Sequence, residues 1–141
     1  MVRRVLDDIE KVKKFYEKVR NLRTIGLNER QMARQLGLTN NRSEPSITKL
    51  REYYSIASKR LKQLNSFVAH GETADVDYEF IDILNMAYYI NSTGESDENA
   101  VMSDLRKTGR STSSITRAMK ICEFDKYLEK NEATYTSYVL I

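Results

Sequence analysis

The sequence predicts a mainly α-helical chain with short β segments, built as two similar three-helix units. Three observations carry this. The 141 residues include only 1 Pro and 5 Gly, so few breakers interrupt a helix. Apolar residues, 40% of the chain, recur at helical spacing along most of its length. The same order of segments, long helix, short helix, polar turn and long helix, is read twice.

In the first round, Val5, Ile9, Val12, Tyr16 and Val19, joined by Leu6, Phe15 and Leu22, follow the i, i+4, i+7 spacing of an amphipathic helix, and Gly26 is a natural stop. Asn28 with Gln31 reads as a capping box that opens a short helix carrying Met32, Ala33 and Leu36 and ended by Gly37. Thr39 to Arg42 is turn-prone, and Pro45 is expected in the first turn of the next helix, where its missing amide costs nothing. Ile47, Leu50, Tyr54, Ala57 and Leu61 then repeat at helical spacing down to Leu64. Ser66 to Ala69 reads as a short strand-prone piece followed by a linker to Asp77. In the second round, Phe80, Ile83, Leu84, Ala87 and Ile90 share a helix face, broken at Asn91 to Gly94. A short helix starts near Asp97, Thr108 to Ser113 forms a polar turn, and Ile115, Met119, Cys122 and Leu128 lie along a last helix to Lys130. Tyr135 to Ile141 is β-branched and aromatic, and reads as a terminal strand.

Residue matches support an internal duplication, with units at 1–70 and 71–141. Phe15, Val19, Leu22 and Ile25 match Phe80, Leu84, Ala87 and Ile90 at an offset of 65. Met32, Ala33, Leu36 and Thr39 match Val101, Met102, Leu105 and Thr108 at 69, and Ser46-Ile47-Thr48-Lys49 matches Ser114-Ile115-Thr116-Arg117 at 68. Apolar period alone would align any two such segments loosely. The Ser-Ile-Thr-basic tetrad is the part that period does not demand.

Charge separates the halves. Met1 to His70 holds 16 Lys/Arg against 7 Asp/Glu, and Gly71 to Ile141 holds 7 against 13. The basic half is the better surface for a polyanion, although charge can also do no more than solvate helices. Within the acidic half, Arg106 to Lys120 carries five cations and no acidic residue.

A short helix packed across a second helix whose first turns are polar and basic is the arrangement that lets the second helix enter a DNA major groove. Gln31 to Tyr54 resembles the helix-turn-helix family, with Ala33 in the small-residue slot, Gly37 opening the turn, and Ile47 and Leu50 as core contacts of the recognition helix. The turn is about four residues longer than in the simplest members, as winged variants tolerate. The resemblance implies a double-stranded DNA partner, met by Asn40, Asn41, Arg42, Ser46, Thr48, Lys49 and Arg51 in the first unit, with Ser46, Thr48 and Lys49 nearest the base edges. In the second unit the face would be Thr108, Arg110, Ser111, Thr112, Ser114, Thr116, Arg117 and Lys120. Each strand-prone piece follows a recognition helix, where a wing would sit, and the two are expected to pair into a small central sheet of an internal pseudo-dimer. The layout is similar to the tandem winged TraN-type accessory proteins of conjugative plasmids, which implies a plasmid or phage regulator or relaxosome accessory factor. The two recognition helices would then enter successive major grooves roughly 34 Å apart.

Enzymatic chemistry, a metal and a cofactor are not expected. His70 is the only histidine and Cys122 the only thiol, and no Gly-rich phosphate loop occurs. A lone cysteine and the lack of any long apolar run fit a cytoplasmic protein without a membrane partner. The rival reading is a helical module that binds another regulatory or conjugation protein, such as RNA polymerase or a relaxase, through Tyr53, Tyr54, Tyr88 and Tyr89. Burial of those tyrosines would weaken it.

Overall fold

The computed structural model describes residues 9–70, 78–95 and 97–130, with the backbone alone for 65–70. Six helices make up the described chain: α1 Ile9–Ile25, α2 Glu29–Gln35, α3 Ile47–His70, α4 Tyr78–Thr93, α5 Glu98–Arg106 and α6 Thr112–Lys130. They divide into two compact units, 9–65 and 66–130, with the division inside α3.

In the first unit α1 turns Val12, Phe15, Val19 and Leu22 inward and ends at Gly26. Gly26 has φ +106°, a left-handed backbone that a side chain would strain. The α2 capping box forms as the sequence predicts: Gln31 N–H donates to Asn28 Oδ1 at 2.8 Å, and Asn28 N–H donates to Gln31 Oε1 at 2.9 Å. Met32, Ala33, Leu36 and Leu38 bring this short helix and its exit into the core. From α3 come Leu50, Tyr53 and Ala57, with the Phe15 and Tyr53 rings edge to face at 6.4 Å.

The turn before α3 is a stapled loop. Thr39 and Pro45 form an isolated antiparallel bridge, and Ser46 N–H donates to Leu38 O at 2.9 Å. Asn40 shapes its inside. The Asn40 Oδ1 accepts the amides of Arg42 at 2.8 Å and Glu44 at 3.1 Å, while its carbonyl accepts Ser43 N–H, the residue held at φ +60°. Pro45 therefore lies outside the helix, and Ser46 is the cap: its Oγ accepts Lys49 N–H at 3.2 Å and its carbonyl accepts Leu50 N–H.

In the second unit α4 and α6 are the main packing pair, with α5 against α6. The core is Phe80, Ile83, Leu84, Met86, Ala87 and Ile90 of α4, Val101 and Leu105 of α5, and Ile115, Ala118, Ile121, Cys122, Phe124 and Leu128 of α6. Asp97 caps α5 through Asn99 N–H, and Ser111 caps α6 through Ser114 N–H at 3.1 Å.

The mainly helical expectation agrees with this architecture, and the β expectations do not. No strand occurs among the described residues, so the short β segments, the wing-like pieces and the central sheet are not part of the described fold. Ser66 to Ala69, expected as a strand, is the end of α3. Phe67 and Val68 favour strands locally, but adding residues to an existing helix costs far less than nucleating one, and no Gly or Pro intervenes before Gly71. The terminal strand expected at Tyr135 to Ile141 lies outside the described residues.

The buried and capping positions of the two units align in a register different from the tetrad's. The inward positions of α3, Leu50, Tyr53, Ala57, Arg60 and Gln63, correspond at an offset of 65 to Ile115, Ala118, Cys122, Asp125 and Leu128, every one of them buried. The caps Ser46 and Ser111 share that offset, as do Phe15 and Phe80 in the opening helices. The middle helices are displaced to 69, the offset between the caps Asn28 and Asp97. Four residues gained before α5 are thus lost again before α6, and the loop around Asn40 is what the second unit lacks. Ser46-Ile47-Thr48-Lys49 and Ser114-Ile115-Thr116-Arg117 stand three residues out of step, and the matched Ile25 and Ile90 differ in burial, at 72% and 9% exposed.

Candidate nucleic-acid interface

The residues expected to face DNA in the first unit cluster around the loop and the first turns of α3. Asn41 and Arg42 are exposed at the loop tip, where their side chains make no hydrogen bond or ion pair among the described residues. Asn40 is a scaffold residue, since its amide is used on Arg42 and Glu44. Ser46 is half-buried and committed to the cap, while Thr48 is exposed and Lys49 half-buried. Arg51 is exposed and held by the first residue of α2. Its Nε donates to Glu29 Oε2 and its Nη2 to Glu29 Oε1, each at 2.7 Å. That hydrogen bonding, with the nearby charges of Arg51 and Arg23, holds the Glu29 carboxyl below its ordinary range.

Below Arg51 the outward face of α3 continues through Ser55, Lys59 and Lys62, all exposed. Thr48, Arg51, Ser55, Lys59 and Lys62 make one stripe at i, i+3 and i+4 spacings without a carboxylate in it. Ser55, Lys59 and Lys62 are not in the expected set, although their helical spacing was a readable signal. Beside the stripe, Tyr16 of α1 and Tyr54 of α3 stack at 5.0 Å and 9°. Arg20 lies 5.8 Å from the Tyr16 ring and Arg23 5.3 Å from the Tyr54 ring. Burial, then the Tyr16 hydroxyl, pushes the Tyr54 phenol up. Two more guanidiniums thus stand on rigid supports in a unit whose residues 9–65 hold 14 Lys/Arg and 5 Asp/Glu.

The second unit treats its cations differently. Arg110 makes a two-point bond to Asp82, Nη2 to Oδ1 at 2.8 Å and Nε to Oδ2 at 3.0 Å, and also donates to Thr108 Oγ1. This holds Asp82 below the usual carboxylate range, the hydrogen bond contributing most. Arg117 pairs with Glu79 at 3.1 Å, and Arg106 donates to Thr112. Ser111 and Ser114 bond one another in the α6 cap. Thr116 and Lys120 line a cleft of about 370 Å³ that also contains Glu95, Glu98 and Glu123. At the offset of 65 the α3 stripe becomes Ser113, Thr116, Lys120, Phe124 and Tyr127, of which Phe124 is fully buried. The basic stripe does not recur.

The four tyrosines of the rival reading divide. Tyr53 is core at 3% exposed, Tyr54 is half-buried in its stack, Tyr88 is half-buried, and Tyr89 alone is exposed, at 49%. No helix among the described residues is long and apolar enough to cross a membrane.

Set against protein families, curated proteins and solved structures, the chain matches none of them.

Proposed function

We propose that this chain is a cytoplasmic, sequence-specific double-stranded DNA-binding protein whose reading head is the first unit, with α3 as recognition helix. The supporting observation is the exposed stripe Thr48, Arg51, Ser55, Lys59 and Lys62, with Arg42 on the stapled loop before it. A capped helix with hydroxyls and cations outward carries both chemistries that a groove reader needs: phosphate charge for affinity and hydrogen-bond donors for base edges. In the second unit Arg110 spends Nε and Nη2 on Asp82 and also Nη1 on Thr108, whereas Arg51 keeps its Nη1 unspent, and Arg117 is paired with Glu79, so this unit contributes less to DNA affinity than an equal partner would. Its buried thiol Cys122, donating to Ala87 O, suits a reducing compartment. A plasmid or phage regulator, or a relaxosome accessory factor, remains the setting in which this activity belongs.

The test is selection of bound duplexes from a random-sequence pool, followed by affinity against salt for the recovered sequence. Log affinity should fall linearly with log salt. Arg42→Ala and Lys59→Ala should each weaken binding and lower the slope by about one, the signature of a lost phosphate contact, while Lys14→Ala should do neither. Recovery of no preferred sequence, or equal losses in all three variants, would overturn the reading.

A further inference from the structure

The geometry at the start of α3 points to a division of labour, and we propose that Arg51 reads one G·C base pair end-on while Glu29 is the residue that positions it. This rests on the DNA-binding reading above and names the chemistry of its site.

A guanidinium has five N–H groups in one plane. The Glu29 carboxylate takes one from Nε and one from Nη2, which is the side-on edge. Nη1 keeps both of its protons and Nη2 keeps one, so the end-on edge still offers two parallel donors away from Glu29. Guanine presents two acceptors, O6 and N7, side by side in the major groove, and this is the pair that such a fork fits. Arg51 stands one turn into α3, outward between Thr48 and Ser55, where side chains of a recognition helix reach base edges.

An unsupported arginine must freeze several rotatable bonds when it binds, whereas one already held in a two-point pair has done so beforehand. Glu29 is itself fixed: it follows Asn28, whose side chain and amide are both locked to Gln31. The carboxylate also costs general phosphate affinity, because it sets a negative charge on a basic face. Holding an arginine this way lowers attraction for any DNA and raises discrimination among sequences.

The experiment uses the full chain and the duplex recovered by selection, with each base pair replaced in turn. For the wild type, one G·C position should lose roughly ten-fold or more when replaced. Arg51→Ala and Arg51→Lys should both be indifferent to that position, since lysine keeps the charge but lacks the fork. Glu29→Gln should shrink the discrimination several-fold and at the same time tighten binding to unrelated DNA, opposite directions that a purely structural or electrostatic role would not give. Titration of the Glu29 carboxyl by NMR in wild type and Arg51→Ala checks, without DNA, that the pair forms in solution. If Arg51→Ala weakens all sequences alike, Arg51 is a phosphate contact and the inference fails while DNA binding stands. If Glu29→Gln leaves discrimination intact, Glu29 positions nothing. If the wild type binds no duplex at all, the functional reading fails and this inference falls with it.

Discussion

Replacing Ser46 separates the folding and binding roles of the residue that opens α3. Its amide bond to Leu38 O and its carbonyl bond from Leu50 are backbone contacts that any side chain keeps. Alanine removes one bond, Oγ to Lys49 N–H, from a half-buried position. The loss of a helix cap of this kind costs about 1 kcal/mol. If the first unit melts by itself, this lowers its melting temperature by about 4–8 °C. Aspartate restores the acceptor and adds a negative charge at a helix N-terminus, so Ser46→Asp should be as stable as the wild type or more so. On DNA the order reverses: Ser46→Ala should bind nearly as well as the wild type once folded, and Ser46→Asp should bind poorly because its carboxylate faces phosphates. Thermal melts followed by circular dichroism, with duplex titrations well below the melting temperature, read both quantities. A Ser46→Asp protein as unstable as Ser46→Ala would refute the capping argument, and one that binds DNA like the wild type would remove α3 from the interface.

The Asp82–Arg110 pair should make stability fall in acid. The Asp82 carboxyl lies lower in the folded chain than in the unfolded one, so its contribution is present above the unfolded value and is lost as pH falls through the folded one. Both side chains are over a third exposed or close to it, which screens the pair and limits the effect to about 1 kcal/mol or less. Melting of wild type and Asp82→Asn between about pH 6 and about pH 3 should converge toward the acid end, and parallel curves would count against it. In DNA binding, replacing Thr116 and Arg117 together with alanine should cost less than replacing Thr48 and Lys49, because Gly71 to Ile141 is net acidic, with 7 Lys/Arg against 13 Asp/Glu. Equal costs in duplex titrations would show that both units engage DNA alike.

What could be read from the sequence was mostly what is decided within a few residues. The Asn28–Gln31 box, the stop at Gly26, the cap Asp97 and the buried Cys122 follow from local chemistry and apolar period. Ser66 to Ala69 misled because its β-branched and aromatic character is also local, whereas its helical state is set by the long segment that it extends. The tetrad misled for another reason: identity of letters is not identity of position, and only the caps and the inward residues fix where each helix begins. The partners of the cations were out of reach, since Glu29 and Arg51 lie 22 residues apart and Asp82 and Arg110 lie 28, separations that no spacing rule connects. Lys59 was within reach at i+4 from Ser55, and Lys62 at i+3 from Lys59.

The loop from Thr39 to Pro45 keeps its form and its outward chemistry on different residues. Every side-chain bond that shapes it belongs to Asn40 and Glu44, and the rest are backbone bonds. Asn41 and Arg42 only occupy the tip. Substitutions there alter exposed side chains and cost the fold within about 0.5 kcal/mol either way. A lineage carrying this loop can therefore retune what the protein meets by changing two positions, with no compensating change elsewhere, while Asn40 has to stay. On the DNA-binding proposal, target preference and architecture then rest on separate residues within seven positions of chain.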